Sequence, residues 1–183
     1  MLPVRELLSE AKVVDTAIYA AVAAAETPRL DRGMRALSRT ADHGKLWIGT
    51  AGLLALAGGS RGRAAARQGM VSLGIASAVA NLVGKPLTTR RRPERQELAE
   101  LEARQVPMPQ TSSFPSGHTA SAFGFATGAG AAWPAASPPL RALATLVGYS
   151  RVHTGVHYPA DVVAGAFLGV SAAELAARLL SRT

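Results

Sequence analysis

The sequence contains no cysteine, which excludes disulfides and thiolate metal sites and leaves the redox compartment unmarked. Aromatic residues are only 5% of the 183, so the 48% hydrophobic content is carried largely by small residues, Ala above all, and the chain also holds 18 Gly. Acidic residues are outnumbered by basic ones, 12 against 20, and the net charge of +8 suits an anionic partner: a membrane surface, nucleic acid or a phosphorylated substrate. The N-terminus places Arg5, Glu6, Glu10 and Lys12 ahead of any apolar run, unlike a cleaved signal, so the whole chain is read as mature protein. No internal repeat or low-complexity linker interrupts it, and its length fits a single domain over 1–183.

What is present is segregation of polar from apolar residues. Uncharged stretches run from Leu46 to Ser60, Gln68 to Gly84, Gln105 to Gly117, Thr119 to Leu140 and Val162 to Ala173. Several approach the roughly 17 to 20 residues with which a helix crosses the hydrocarbon core. Gly124 with Gly128, and Gly165 with Gly169, are spaced four apart, as in helices that pack closely inside a bilayer. The expected fold is an all-α, polytopic membrane bundle with helices at about 8–27, 43–59, 66–85, 117–133, 138–152 and 159–180. A soluble Ala-rich helical bundle is the competing architecture.

Val4, Leu7, Leu8, Ala11 and Val14 recur with helical period, so 1–27 reads as an amphipathic first helix whose apolar continuation Asp15 interrupts. Residues 86–115 form the long loop, within which ELAELEAR at 97–104 reads as a short surface helix. Trp47 and Trp133 lie near helix ends, where interfacial anchors belong.

Three clusters carry chemistry. In KPLTTRRRP, Lys85 and Arg92 can bring two fixed positive charges to one anion, although a basic run beside a membrane also binds lipid head groups. In PSGH, Pro115 and Gly117 shape a turn before a helix N-terminus whose free amides suit an anion. Ser116 adds a hydroxyl and His118 a group that exchanges protons near neutral pH; a simple capping turn is the alternative. In SRVHTGVHYPAD, Arg151 is a third cation, and Asp161 stands four residues after His157. Asp161 suits the first turn of a helix opened by Pro159, and it is also spaced to take a proton from one His157 ring nitrogen and leave the other as a nucleophile.

If the helices alternate in direction, all three clusters open on one membrane face, and their residue set suits phosphoryl transfer. His153 reads as a packing group or a support for the site residues rather than a second nucleophile, and Asp42 and His43 as a solvated loop.

In these clusters the chain resembles the type 2 phosphatidic acid phosphatase superfamily, whose signature is Lys, six residues, Arg-Pro; Pro-Ser-Gly-His; and Ser-Arg, five residues, His, three residues, Asp. Here it reads Lys85 to Arg92-Pro93, Pro115 to His118, and Ser150-Arg151 through His157 to Asp161. The resemblance implies a metal-independent phosphatase with no cofactor, in which His157 becomes a phosphohistidine, Asp161 holds it and His118 protonates the leaving group. Lys85, Arg92, Ser116, Gly117 and Arg151 would hold the phosphate.

It further implies a lipid phosphate substrate, a multi-pass place in a bacterial plasma membrane, and no nucleic-acid partner. Small-residue helix faces would permit a homo-oligomer. The compact, Ala- and Arg-rich chain is similar to actinobacterial members that remove the 5-phosphate from decaprenylphosphoryl phosphoribose. Phosphatidic acid, phosphatidylglycerol phosphate and undecaprenyl diphosphate are the other candidates, and a non-catalytic binder of anionic lipid is the reading from another class.

Overall fold

The computed structural model describes residues 4–95 and 104–181, and their regular structure is helical. The helices are α1 (Val4–Ala24), α2 (Pro28–Thr40), α3 (Lys45–Ala57), α4 (Gly59–Ala78), α5 (Gly117–Ala132), α6 (Ser137–His153) and α7 (Pro159–Leu180). A π-helical stretch, Val79–Gly84, prolongs α4 as far as Lys85. All six expected helices are there, and two features differ from expectation.

α2 occupies a segment read as loop. Pro28 sits in its first turn with Asp31, and Arg39 lies in its last, so both ends suit the helix dipole. Arg29, Arg32 and Arg39 are exposed while Asp31, Met34 and Ser38 are buried. α4 starts at Gly59 rather than near 66, because the basic stretch that opens it, SRGRAAAR, is rich in Ala and Arg, which are strong helix formers despite the charge. The ELAELEAR segment falls outside the described residues apart from Arg104, which is buried.

Packing is inverted in residue size. The interior is built from Ala65, Ala76, Ala80, Ala120, Ala126, Ala129 and Ala144, whereas Leu53, Leu56, Leu82, Val163 and Phe167 face outward. Small residues let helix backbones meet. A Cβ on Gly128 would stand 2.3 Å from Ser72 Oγ of α4, and one on Gly169 would stand 2.4 Å from the Ala120 carbonyl oxygen of α5. α5 therefore lies against α4 on one side and α7 on the other, with the glycine pairs at both seams.

Trp47 is only 1% exposed and packs on Phe125 with ring centroids 5.0 Å apart, so it is a core residue and not an interfacial anchor. Among the described residues, α7 alone is long and apolar enough to cross a membrane by length and composition. α3, for comparison, has 13 residues, and its length of about 20 Å falls short of a hydrocarbon core of about 30 Å.

Candidate active site

His157 lies in the turn between α6 and α7. The turn is made possible by Gly155, whose φ of +66° is unfavourable for other residues. It is fixed by Arg95, which donates to the carbonyl oxygens of Thr154 (2.9 Å) and Gly155 (3.2 Å). His157 is 2% exposed; its Nδ1 is 3.4 Å from Asp161 Oδ2 and its Nε2 is 3.3 Å from Arg92 Nη1. A guanidinium can only donate, so Nε2 carries the lone pair and Nδ1 the proton that faces the carboxylate. Burial, chiefly, pushes the imidazole down to about 4; Asp161 opposes the shift, and Arg151 and Arg92 add to it.

The PSGH turn is tied to this centre through the backbone. Ser116 N donates to the Asp161 carbonyl oxygen at 2.9 Å, and a Cβ on Gly165 would lie 2.5 Å from the Ser116 carbonyl oxygen. The start of α5 and the first turn of α7 thus hold one another. Ser116 is the N-cap of α5, its hydroxyl accepting from Thr119 N (3.4 Å) and Thr119 Oγ1 (2.9 Å). Gly117 lies against Asn81, whose Oδ1 accepts from Lys85 Nζ at 2.6 Å.

His118 Nε2 is 2.8 Å from Asp42 Oδ1, and the same oxygen is 3.7 Å from Arg151 Nη1. Asp42 is therefore part of the cluster and not a solvated loop residue; the bond from His118, first, holds its carboxyl below the usual range. Arg151 Nη1 also donates to Ser38 Oγ of α2 at 2.6 Å. His153 is buried with Nε2 2.9 Å from Asp31 Oδ1, consistent with a packing role.

Arg92 links the long loop to the centre, donating to the carbonyl oxygens of Val156 (2.7 Å), Ser112 (3.1 Å) and Thr111 (3.0 Å). Burial lowers the Lys85 pKa, and the nearby charges of Arg92 and Arg151 lower it further. The three cations thus share one electrostatic neighbourhood, where they repel one another and favour an anion between them. Two cavities meet at His118. One, of about 350 Å³, is lined by Lys85, Gly117, Asn81, Ser77 and His43; the other, of about 300 Å³, by Asp42, Arg151 and Met108.

The family model of the PAP2 superfamily matches residues 67–183. The chain belongs to the PAP2 superfamily. All three signature clusters lie inside that PAP2 match. Among characterised proteins, the chain is 34% identical over 167 residues to the decaprenylphosphoryl-5-phosphoribose phosphatase of Mycolicibacterium smegmatis, covering 86% of this chain and 84% of that one.

Two solved structures share its fold. LpxE of Aquifex aeolicus is 24% identical with a TM-score of 0.71, covering 89% of this chain and 94% of that one. The transmembrane PAP2-type phosphatidylglycerolphosphate phosphatase of Bacillus subtilis is 21% identical with a TM-score of 0.70, covering 94% and 87%.

Sequence reasoning missed Ser38, Asp42, Arg90 and Asp15 as parts of the site. For Asp15 a signal existed, since a carboxylate within an apolar helix needs a partner. Asp42 had none, because its partners lie far along the chain.

Proposed function

We propose that the chain is a single-domain integral membrane lipid phosphatase that cleaves a phosphomonoester through a phosphohistidine on His157. The observation that carries this reading is the geometry at His157: Nε2 faces a guanidinium, and Nδ1 faces a buried carboxylate.

His157 Nε2 attacks phosphorus as the ester P–O bond breaks, and the ring charge that develops is stabilised by Asp161. His118 gives its proton to the departing alkoxide, with Asp42 orienting the ring. Water then attacks the phosphohistidine, the P–N bond breaks, and His118 takes up the water proton to complete release of inorganic phosphate. Lys85, Arg92 and Arg151, with the Gly117 amide at the start of α5, receive the phosphoryl oxygens. The Ser116 hydroxyl sets that helix end. These cations supply the charge that magnesium supplies in other phosphoryl-transfer enzymes, and they would repel a dication, so turnover is metal-independent.

The outward-facing Leu, Val and Phe side chains over a small-residue interior support a lipid-embedded bundle. In this reading α1, α3, α4, α5, α6 and α7 make up the membrane bundle, α3 being too short to cross the full hydrocarbon core unaided, and α2 lies along its surface with Arg29, Arg32 and Arg39 exposed. A polyprenyl phosphate derivative is the favoured substrate class, by likeness to the mycobacterial relative. Phosphatidic acid, phosphatidylglycerol phosphate and undecaprenyl diphosphate are the alternatives.

The test is phosphate release by purified wild type and His157→Ala protein, in EDTA, from four substrates: a polyprenyl phosphoribose phosphate, phosphatidic acid, phosphatidylglycerol phosphate and undecaprenyl diphosphate. His157-dependent release, fastest from the polyprenyl phosphoribose phosphate, is expected. Release from none of the four would overturn the reading.

A further inference from the structure

The Arg90-Arg91-Arg92 run lies outside regular secondary structure, and Arg90 and Arg92 are half-buried while Arg91 is exposed. Arg92 reaches His157, but Arg90 reaches past it. Arg90 Nη1 donates to Asp161 Oδ1 at 2.8 Å, and Nη2 bonds Asp15 Oδ2 of α1. The guanidinium also lies over the Tyr158 ring, 4.7 Å from its centroid. Asp15 is itself fixed, because its other oxygen accepts from Ala160 N at 2.7 Å, in the first turn of α7.

The two oxygens of Asp161 are thereby divided. Oδ1 belongs to Arg90, while Oδ2 accepts from Tyr158 N at 2.9 Å and faces His157 Nδ1. Asp161 is fully buried and Asp15 is 6% exposed, so neither carboxylate can rely on water. A guanidinium engaged by two carboxylates has little to offer a phosphate. Its planar fork is suited to locking the rotation of the Asp161 carboxylate.

We propose that Arg90, anchored by Asp15 of α1, is a positioning residue for Asp161, holding Oδ1 so that Oδ2 stays turned to His157. The inference rests on His157 being the nucleophile. It also gives α1 a part in the active site, although α1 lies outside the PAP2 match.

The charged groups facing His157 are Asp161 of α7, Arg92 of the long loop and Arg151 of α6. Behind Asp161 stand Arg90 and Asp15, with Tyr158 beside them. Removing the Arg90 charge leaves the Asp161 field on His157 less compensated, so the ring takes a proton at higher pH. The acid limb of the pH profile then moves upward.

The experiment compares wild type, R90Q, R90K, D15N and the R90Q/D15N double variant with H157A, on the fastest of the four substrates named above. It measures kcat, KM, and kcat/KM against pH. R90Q is expected to lose about 10- to 100-fold in kcat, the range typical of groups that orient a functional side chain, with KM within about twofold and the acid limb raised. R90K keeps the charge, so its limb stays in place while kcat falls less. D15N lowers kcat in the same direction, and the double variant is no worse than R90Q because both act through one contact.

Wild-type kcat and pH profile in R90Q, beside an inactive H157A, would overturn this inference alone. A raised KM at unchanged kcat would make Arg90 a substrate ligand and overturn it too. Turnover retained by H157A, or absent from wild type on all four substrates, would remove the reading beneath it and the inference together.

Discussion

In the proposed mechanism His157 is the residue on which the chemistry turns, and its environment implies a pH signature. A buried imidazole pushed down to about 4 stays neutral as pH falls through 6.5, the value of a free imidazole. Neutral His157 is the nucleophilic form, so activity is retained as pH falls through 6.5 and is lost toward the lower value. A kcat/KM profile is expected to place the acid limb clearly below 6.5; a limb at or above that value would contradict the buried neutral ring. In the proposed mechanism His118 and Asp42 act on the other side of phosphorus, on the leaving group. His118→Ala and Asp42→Asn are expected to lower kcat/KM for an alkyl phosphate by about 100-fold or more for the former and less for the latter, while sparing kcat/KM for an aryl phosphate, whose leaving group needs no proton, because kcat/KM reports phosphoryl transfer to His157 and not the later hydrolysis of the phosphohistidine. Equal losses on both substrate types would remove His118 from that role. The spacing of His157 and Asp161 could be read from sequence because four residues suffice to bring them together. The pairing of Asp42 with His118 could not, since 76 positions separate them.

At the scale of elements, the site depends on how closely α5 and α7 approach. The glycine pairs were legible as spacing, and the structure gives them physical content: Gly165 and Gly169 meet the Ser116 and Ala120 carbonyl oxygens with no room for a Cβ. Gly169→Leu is expected to force the two helices apart and lower thermal stability by about 1 to 3 kcal/mol, the usual range for overpacking. It should also reduce activity, because Ser116 N and the Asp161 carbonyl oxygen are bonded across the same seam. A melting curve and a turnover assay on the same preparation check both; unchanged values would mean the helices accommodate the side chain freely. The α2 helix was less legible. Its Leu30, Met34 and Leu37 follow a helical spacing, but four arginines and Gly33 in 13 residues read as loop. What pins α2 is tertiary: Arg104 and His153, distant in sequence, both reach Asp31 at 2.8 and 2.9 Å. A buried carboxylate held by an arginine and a histidine cannot be recognised before the chain is folded.

For the molecule as a whole, the all-helical fold was readable from segregated composition, whereas the number of membrane crossings was not. Short helices such as α3 do not announce themselves by length. The outward Leu, Val and Phe side chains lead to a further prediction: the protein should stay in the membrane pellet after alkaline carbonate extraction and enter solution only with detergent. Release by carbonate would favour the soluble bundle. The whole-molecule arrangement also explains how three clusters spread over residues 85 to 161 come together. The end of α4, the start of α5 and the α6–α7 turn lie at one end of the bundle, and the long loop threads Arg90, Arg92 and Arg95 into that end.

The central claim, that phosphate passes through His157, is tested most directly by trapping the intermediate. Enzyme mixed with a lipid substrate carrying a ³²P-labelled phosphate, in EDTA, would be quenched in alkali within milliseconds and analysed for protein-bound label. The account predicts alkali-stable, acid-labile label in the wild type, a level raised in His118→Ala when the leaving group is aryl, and none in His157→Ala. Protein-bound label that persists in His157→Ala, or rapid phosphate release from wild type with no label at any time, would contradict it.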